Sequence, residues 1–72
     1  TMSFDYRKLK GRIKEKVDTQ SNFAEELGIS RVSLSLKLNG KAEFSQREIE
    51  NACRILDIAP AQIHDYFFTE QV

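Results

Sequence analysis

Residues 20–40 read QSNFAEELGISRVSLSLKLNG. This stretch decides the fold. Phe23, Ala24 and Leu27 recur at helical spacing, and Thr19 ahead of them can accept a hydrogen bond from an orphan backbone N–H. Gly28 follows directly, where the chain needs a positive φ to leave a helix. A second helix is expected over 31–38, capped by Ser30, with Leu34 and Leu38 inward and Asn39-Gly40 as its stop. Two helices joined by a short turn containing glycine make a helix-turn-helix. Each special residue has a task in that geometry. Ala24 is small because the next helix crosses it, Ile29 fills the angle between the helices, and Leu34 anchors the second helix.

The same periodicity predicts three more helices. One runs over 5–16, with Tyr6, Leu9, Ile13 and Val17 as its inner stripe. Gly11 falls within it, where glycine costs about 1 kcal/mol against Ala, and a close backbone approach from a neighbouring helix would explain it. Another runs over 46–56. Ser45 and Glu48 form a capping box, and Ile49, Ala52, Cys53 and Leu56 form a core stripe. The last begins at Pro60 and runs to about 66 or 67, with Ile58 and Ile63 facing the core. The expected architecture is an all-α, compact five-helix domain over residues 1–72. Met2, preceded by Thr1, reads as the natural start.

Composition narrows the function. The chain has 72 residues and one cysteine, which leaves no disulfide framework and no cysteine metal cluster. His64 is the only histidine, and no nucleophile–base pair is evident. No metal, cofactor, small-molecule substrate or enzymatic activity is therefore expected. There is no long apolar run, so a cytoplasmic location without membrane contact is expected. Net charge is zero, yet residues 1–41 carry nine basic against five acidic side chains, and residues 42–72 carry two against six. The halves are +4 and −4. Such a split suits one face for a polyanion and one turned away; lysines that merely solvate helix surfaces would give it too. The cations over 8–16 alternate around their helix, so most are expected to be solvated. Cys53 lies on a core stripe and reads as packing, and Asp57 reads as a tight-turn residue tolerant of the left-handed region.

Gln20, Ala24, Gly28, Ser30, Leu34, Ser35 and Gly40 together resemble the Cro/CI-type helix-turn-helix proteins of phages and bacteria, the xenobiotic-response-element class. The stretches YRKLKGRI (6–13), LKLNG (36–40) and YFF (66–68) resemble small phage and prophage regulators of Gram-positive bacteria. The resemblance implies a lambda-repressor-like domain. It would be a sequence-specific transcriptional regulator that places its third helix in the major groove of operator DNA. Arg31, Val32 and Ser35 would then face base edges, with Arg31 on guanine and Val32 on a thymine methyl. Gln20, Ser30, Ser33, Asn39 and Lys41 would hold backbone phosphates. The aromatic tail either closes the bottom of the core or forms a dimer interface; a homodimer is expected, with Phe67 inward and Tyr66 or Phe68 available to the partner.

Three positions depart from the pattern. Lys37 occupies a place that is usually apolar, Leu38 one that is often polar, and Leu36 lands toward the groove side. Either the third helix is rotated slightly, or Lys37 snorkels while Leu36 adds apolar contact. With the neutral net charge and the aromatic tail, Leu36 also motivates an alternative. The domain could be a protein-interaction module, an antirepressor or antitoxin component, without specific DNA binding.

Overall fold

Five α-helices form where the apolar spacing places them. The structure is a computed structural model and describes residues 4–70; the expectation for Met2 lies outside the described residues. The helices are α1 (Arg7–Val17), α2 (Gln20–Leu27), α3 (Arg31–Leu38), α4 (Gln46–Leu56) and α5 (Ile63–Phe67). A 3₁₀ turn, Pro60–Gln62, leads into α5. No named strand occurs among the described residues; a single antiparallel bridge joins Phe4 to Glu70.

The caps are those the sequence offers. Thr19 Oγ1 accepts from the Asn22 N–H at 3.0 Å, and Ser30 Oγ accepts from the Ser33 N–H at 3.0 Å. At α4 the box is complete: Ser45 Oγ accepts from the Glu48 N–H, and Glu48 Oε1 accepts from the Ser45 N–H. Each such cap satisfies a donor that the helix cannot, and is worth about 1 kcal/mol. Gly28 ends α2 at φ 84°, its N–H donating to the Ala24 carbonyl at 2.9 Å. Asp57 ends α4 at φ 55° in the left-handed region, as expected of it.

Three details differ from the sequence reading. The segment from Pro60 is a 3₁₀ turn, and α5 itself starts only at Ile63. α1 starts at Arg7 rather than Asp5. The Asp5 N–H donates to the Thr69 carbonyl at 2.7 Å, and the Asp5 carboxylate accepts from the Arg7 N–H and guanidinium. Asp5 is thus committed to the bridge that joins the two ends of the fold. Gly11, in turn, meets no neighbour: a Cβ built there has nothing within 4 Å, and the residue is exposed. The expected close helix approach is absent, and this glycine only loosens α1.

The core is where all five stripes meet. Leu9 and Ile13 of α1, Phe23 of α2, Leu34 of α3, Leu56 of α4 and Phe67 of α5 are its largest fully buried side chains. Each contributes on the order of 1.5–3 kcal/mol by leaving water. Ala24 is buried and Ile29 is partly buried against this cluster, as the tight angle between α2 and α3 requires. No polar or charged residue is buried among the described residues. Arg12 ties α1 to the end of α4, donating to the Leu56 carbonyl at 2.9 Å and the Asp57 carbonyl at 2.8 Å. Those carbonyls have no partner within their own helix, and a guanidinium is well shaped to take both.

Candidate functional site

α3 buries one side and offers the other. Leu34 and Leu38 face the core. On the far side, Val32 is 70% exposed and Leu36 43% exposed; they are among the three large apolar side chains that the described residues leave exposed. A spacing of four residues puts them one above the other. Successive helical residues advance by about 100°, so Ser35 and Asn39 share this outward face and Arg31 flanks it. Arg31, Asn39 and Lys41 are exposed; Gln20, Ser33 and Ser35 are half-buried.

The polar groups around this face are partly engaged. Ser30 spends its acceptor on the cap, so its hydroxyl proton remains able to donate outward. Asn39 Nδ2 donates to Ser35 Oγ at 3.3 Å, which couples two of the residues expected at the site. The Lys41 N–H donates to the Leu36 carbonyl at 2.9 Å and closes the end of α3. Arg31 and Lys41 enter no ion pair among the described residues.

The question posed by Lys37 is resolved by its partners. Its ammonium lies 3.0 Å from Glu48 Oε1 and donates to the Glu43 carbonyl at 3.0 Å. It also sits 5.9 Å from the centre of the Phe44 ring. The Lys37 side chain is only 12% exposed and that of Glu48 20%. Burial pushes the Glu48 carboxyl up, but the Ser45 N–H and the Lys37 ammonium together hold it below the ordinary carboxylate range. Lys37 therefore ties the end of α3 to the start of α4, while Leu34 and Leu38 face the core and leave Leu36 exposed on the other side. The sequence flagged Lys37 as odd; it could not name Glu48 as the reason.

The aromatic tail divides. Phe67 is buried, as expected. Tyr66, one of the two residues offered for a dimer interface, is 7% exposed and belongs to the core, with the Lys8 ammonium 4.9 Å above its ring. Phe68 is 38% exposed and packs edge-on against Phe4, ring centres 5.7 Å apart. Phe4 and Phe44 carry functions that the sequence reading did not assign. With Tyr6 and Phe67 they form a run of edge-to-face rings, Phe4–Tyr6 at 6.5 Å, Tyr6–Phe44 at 5.5 Å and Phe44–Phe67 at 5.4 Å. Their signal was there: two phenylalanines lying outside every apolar stripe. Cys53 is half-buried and burial pushes its thiol up, which disfavours the reactive thiolate.

The model of a family described as "Protein of unknown function (DUF739)" matches residues 2–70. Among solved structures, the chain is similar to the solution structure of the modulator of repression (MOR) of the temperate bacteriophage TP901-1 from Lactococcus lactis. The two are 45% identical with a TM-score of 0.80, over 92% of this chain and 89% of that one. No curated protein matches the chain.

Proposed function

We propose, from the premise that this chain belongs to the family described as "Protein of unknown function (DUF739)", that it is a small regulator of phage-type repression that acts by binding a repressor protein through α3. The observation that carries this reading is the apolar centre of the outward face, Val32 and Leu36 one turn apart. A helix face that reads DNA is usually polar at its middle, because base edges are recognised by donors and acceptors. A face with two exposed aliphatic side chains bordered by Arg31, Ser35 and Asn39 has the build of a protein contact, an apolar centre beside polar groups. The solved relative carries the name modulator of repression, which fits a protein that alters a repressor's action. In this reading α2, its turn and α3 are a helix-turn-helix of the Cro/CI kind, used to meet a protein.

A second reading is sequence-specific binding of operator DNA, with α3 in the major groove. The observation favouring it is the capped start of α3, where the Ser30 hydroxyl and the exposed Arg31 project together, with Lys41 beyond the other end. Base contacts would come from Arg31, Val32 and Ser35, and phosphate contacts from Gln20, Ser30, Ser33, Asn39 and Lys41. This reading also asks for a homodimer, for which Phe68 is the exposed member of the tail.

Calorimetric titration separates the two. Against the DNA-binding domain of the repressor from the same phage or prophage, Val32→Asp should weaken binding by about tenfold or more, the worth of one buried aliphatic contact, without moving the melting temperature. Against operator DNA, binding that falls by about 10³–10⁵ between about 50 and 200 mM salt would establish the second reading instead. Failure of the wild-type chain to bind the repressor domain would overturn the first.

A further inference from the structure

A second surface lies away from the outward face of α3. Between the start of the described chain, the loop after α3, α4 and α5 is a groove of about 500 Å³. Its walls are Phe4, Phe44, Ile49, Ile63 and Phe68, aromatic and aliphatic side chains that are half-buried or exposed and so present hydrophobic surface to water. That volume is in the range of sites that accept apolar groups. Polar groups at the groove come from Glu43, Gln46 and Glu50, all exposed, and no lysine or arginine lines it. Lys37, whose ammonium lies by the Phe44 ring, is already matched by Glu48. The groove is therefore apolar inside and negative at its edge, and apart from Phe4 and Tyr6 its lining comes from the half of the sequence that carries −4.

We propose that this groove docks a basic amphipathic segment of a partner protein, with one or two Leu- or Phe-sized anchors in the groove and Lys or Arg side chains beside Glu43 and Glu50. The apolar anchors supply affinity by leaving water, and the opposite charges fix which segment enters and in which register. This contact is separate from the one proposed for α3, and the two share no residue. One partner can engage both, but neither contact depends on the other.

The test is an NMR titration of the full chain, labelled with ¹⁵N. The probe is a helix-forming peptide of about 14 residues with leucines on one face and Lys, Arg and Ala elsewhere. Expected is saturable movement of the Phe44, Ile49, Ile63 and Phe68 amides. Affinity should fall about five-fold in the double variant Glu43→Gln/Glu50→Gln at low salt, and that difference should shrink as salt is raised. Phe68→Ala, an exposed position whose fold is checked by circular dichroism, should weaken binding in both salt conditions. Val32→Asp should change nothing, so this result and the α3 reading succeed or fail apart. The proposal is overturned by no movement up to about 1 mM peptide, or by equal binding of a peptide with Glu in place of Lys and Arg. Peptide-independent shifts that grow with protein concentration would give the groove to a second copy, and nuclear Overhauser contacts from residues 1–3 would give it to the chain's own end; either overturns the proposal as well.

Discussion

Replacing Lys37 by Met keeps the aliphatic stem and removes only the ammonium. In the wild-type protein that group meets Glu48 Oε1 and the Glu43 carbonyl, both at 3.0 Å. Neither charged side chain is fully buried, so the interaction falls between two limits. An exposed ion pair is worth about 0–1 kcal/mol, and breaking a fully buried one costs about 3–5 kcal/mol. Side-chain exposures of 12% and 20% place this pair nearer the buried limit, and the Ser45 N–H stays behind to stabilise the carboxylate. A loss of about 2 kcal/mol follows, which for a domain of this size lowers the melting temperature by about 8–16 °C. Urea unfolding followed by circular dichroism at neutral pH measures it. Glu48→Gln retains an acceptor for the Ser45 N–H, so the double variant isolates the pair; a coupling of about 1 kcal/mol or more is expected. The pH dependence has a defined sign. Glu48 titrates below its unfolded value of about 4.3, so its contribution is complete above that value and is lost as pH falls through the folded one. The gap between wild type and Lys37→Met should close in acid, because both then carry a neutral Glu48. A variant within about 0.5 kcal/mol of wild type at pH 7, or a coupling near zero, would refute the account of how α3 is held.

Other substitutions test the rest of the fold. Gly11→Ala should stabilise the protein by about 0.5–1 kcal/mol in urea unfolding, since Gly11 is helical and exposed with nothing near its Cβ; destabilisation would mean that a helix does pack there. Gly28→Ala should cost about 1–2 kcal/mol, because φ 84° is left-handed; the space around its Cβ is open, so the cost comes from backbone strain alone. A Gly28→Asn variant should then recover part of it, and equal losses for Ala and Asn would contradict that origin. Leu34→Ala should cost about 2–5 kcal/mol in the same assay, as a fully buried side chain linking α3 to the core. A loss below about 1 kcal/mol would show that α3 is not anchored through Leu34.

What could be read from residues 20–40 and their flanks was local. Helix existence and ends follow from short-range chemistry: the Thr19, Ser30 and Ser45 caps, the Gly28 and Asp57 exits, and apolar stripes at a period of 3.6. Those interactions span four residues or fewer, so the order of residues along the chain determines them. The sequence also determined most of the side chains that fill the core, because a stripe has only one side to bury. How α3 is tied to α4 was settled elsewhere, by the pairing of Lys37 with Glu48, eleven positions away in sequence and adjacent only once α4 has packed. The fate of the tail was settled in the same way. Tyr66 and Phe68 are alike in sequence, but α5 turns one into the core and leaves the other beside Phe4. The start of α1 moved because Asp5 finds Thr69, and the groove exists because Phe4, Phe44 and Phe68 come together from three separate parts of the chain. Short-range hydrogen bonding and periodicity therefore specified the elements. Long-range packing chose which of their surfaces face outward, and the proposed contacts with partners lie on those surfaces.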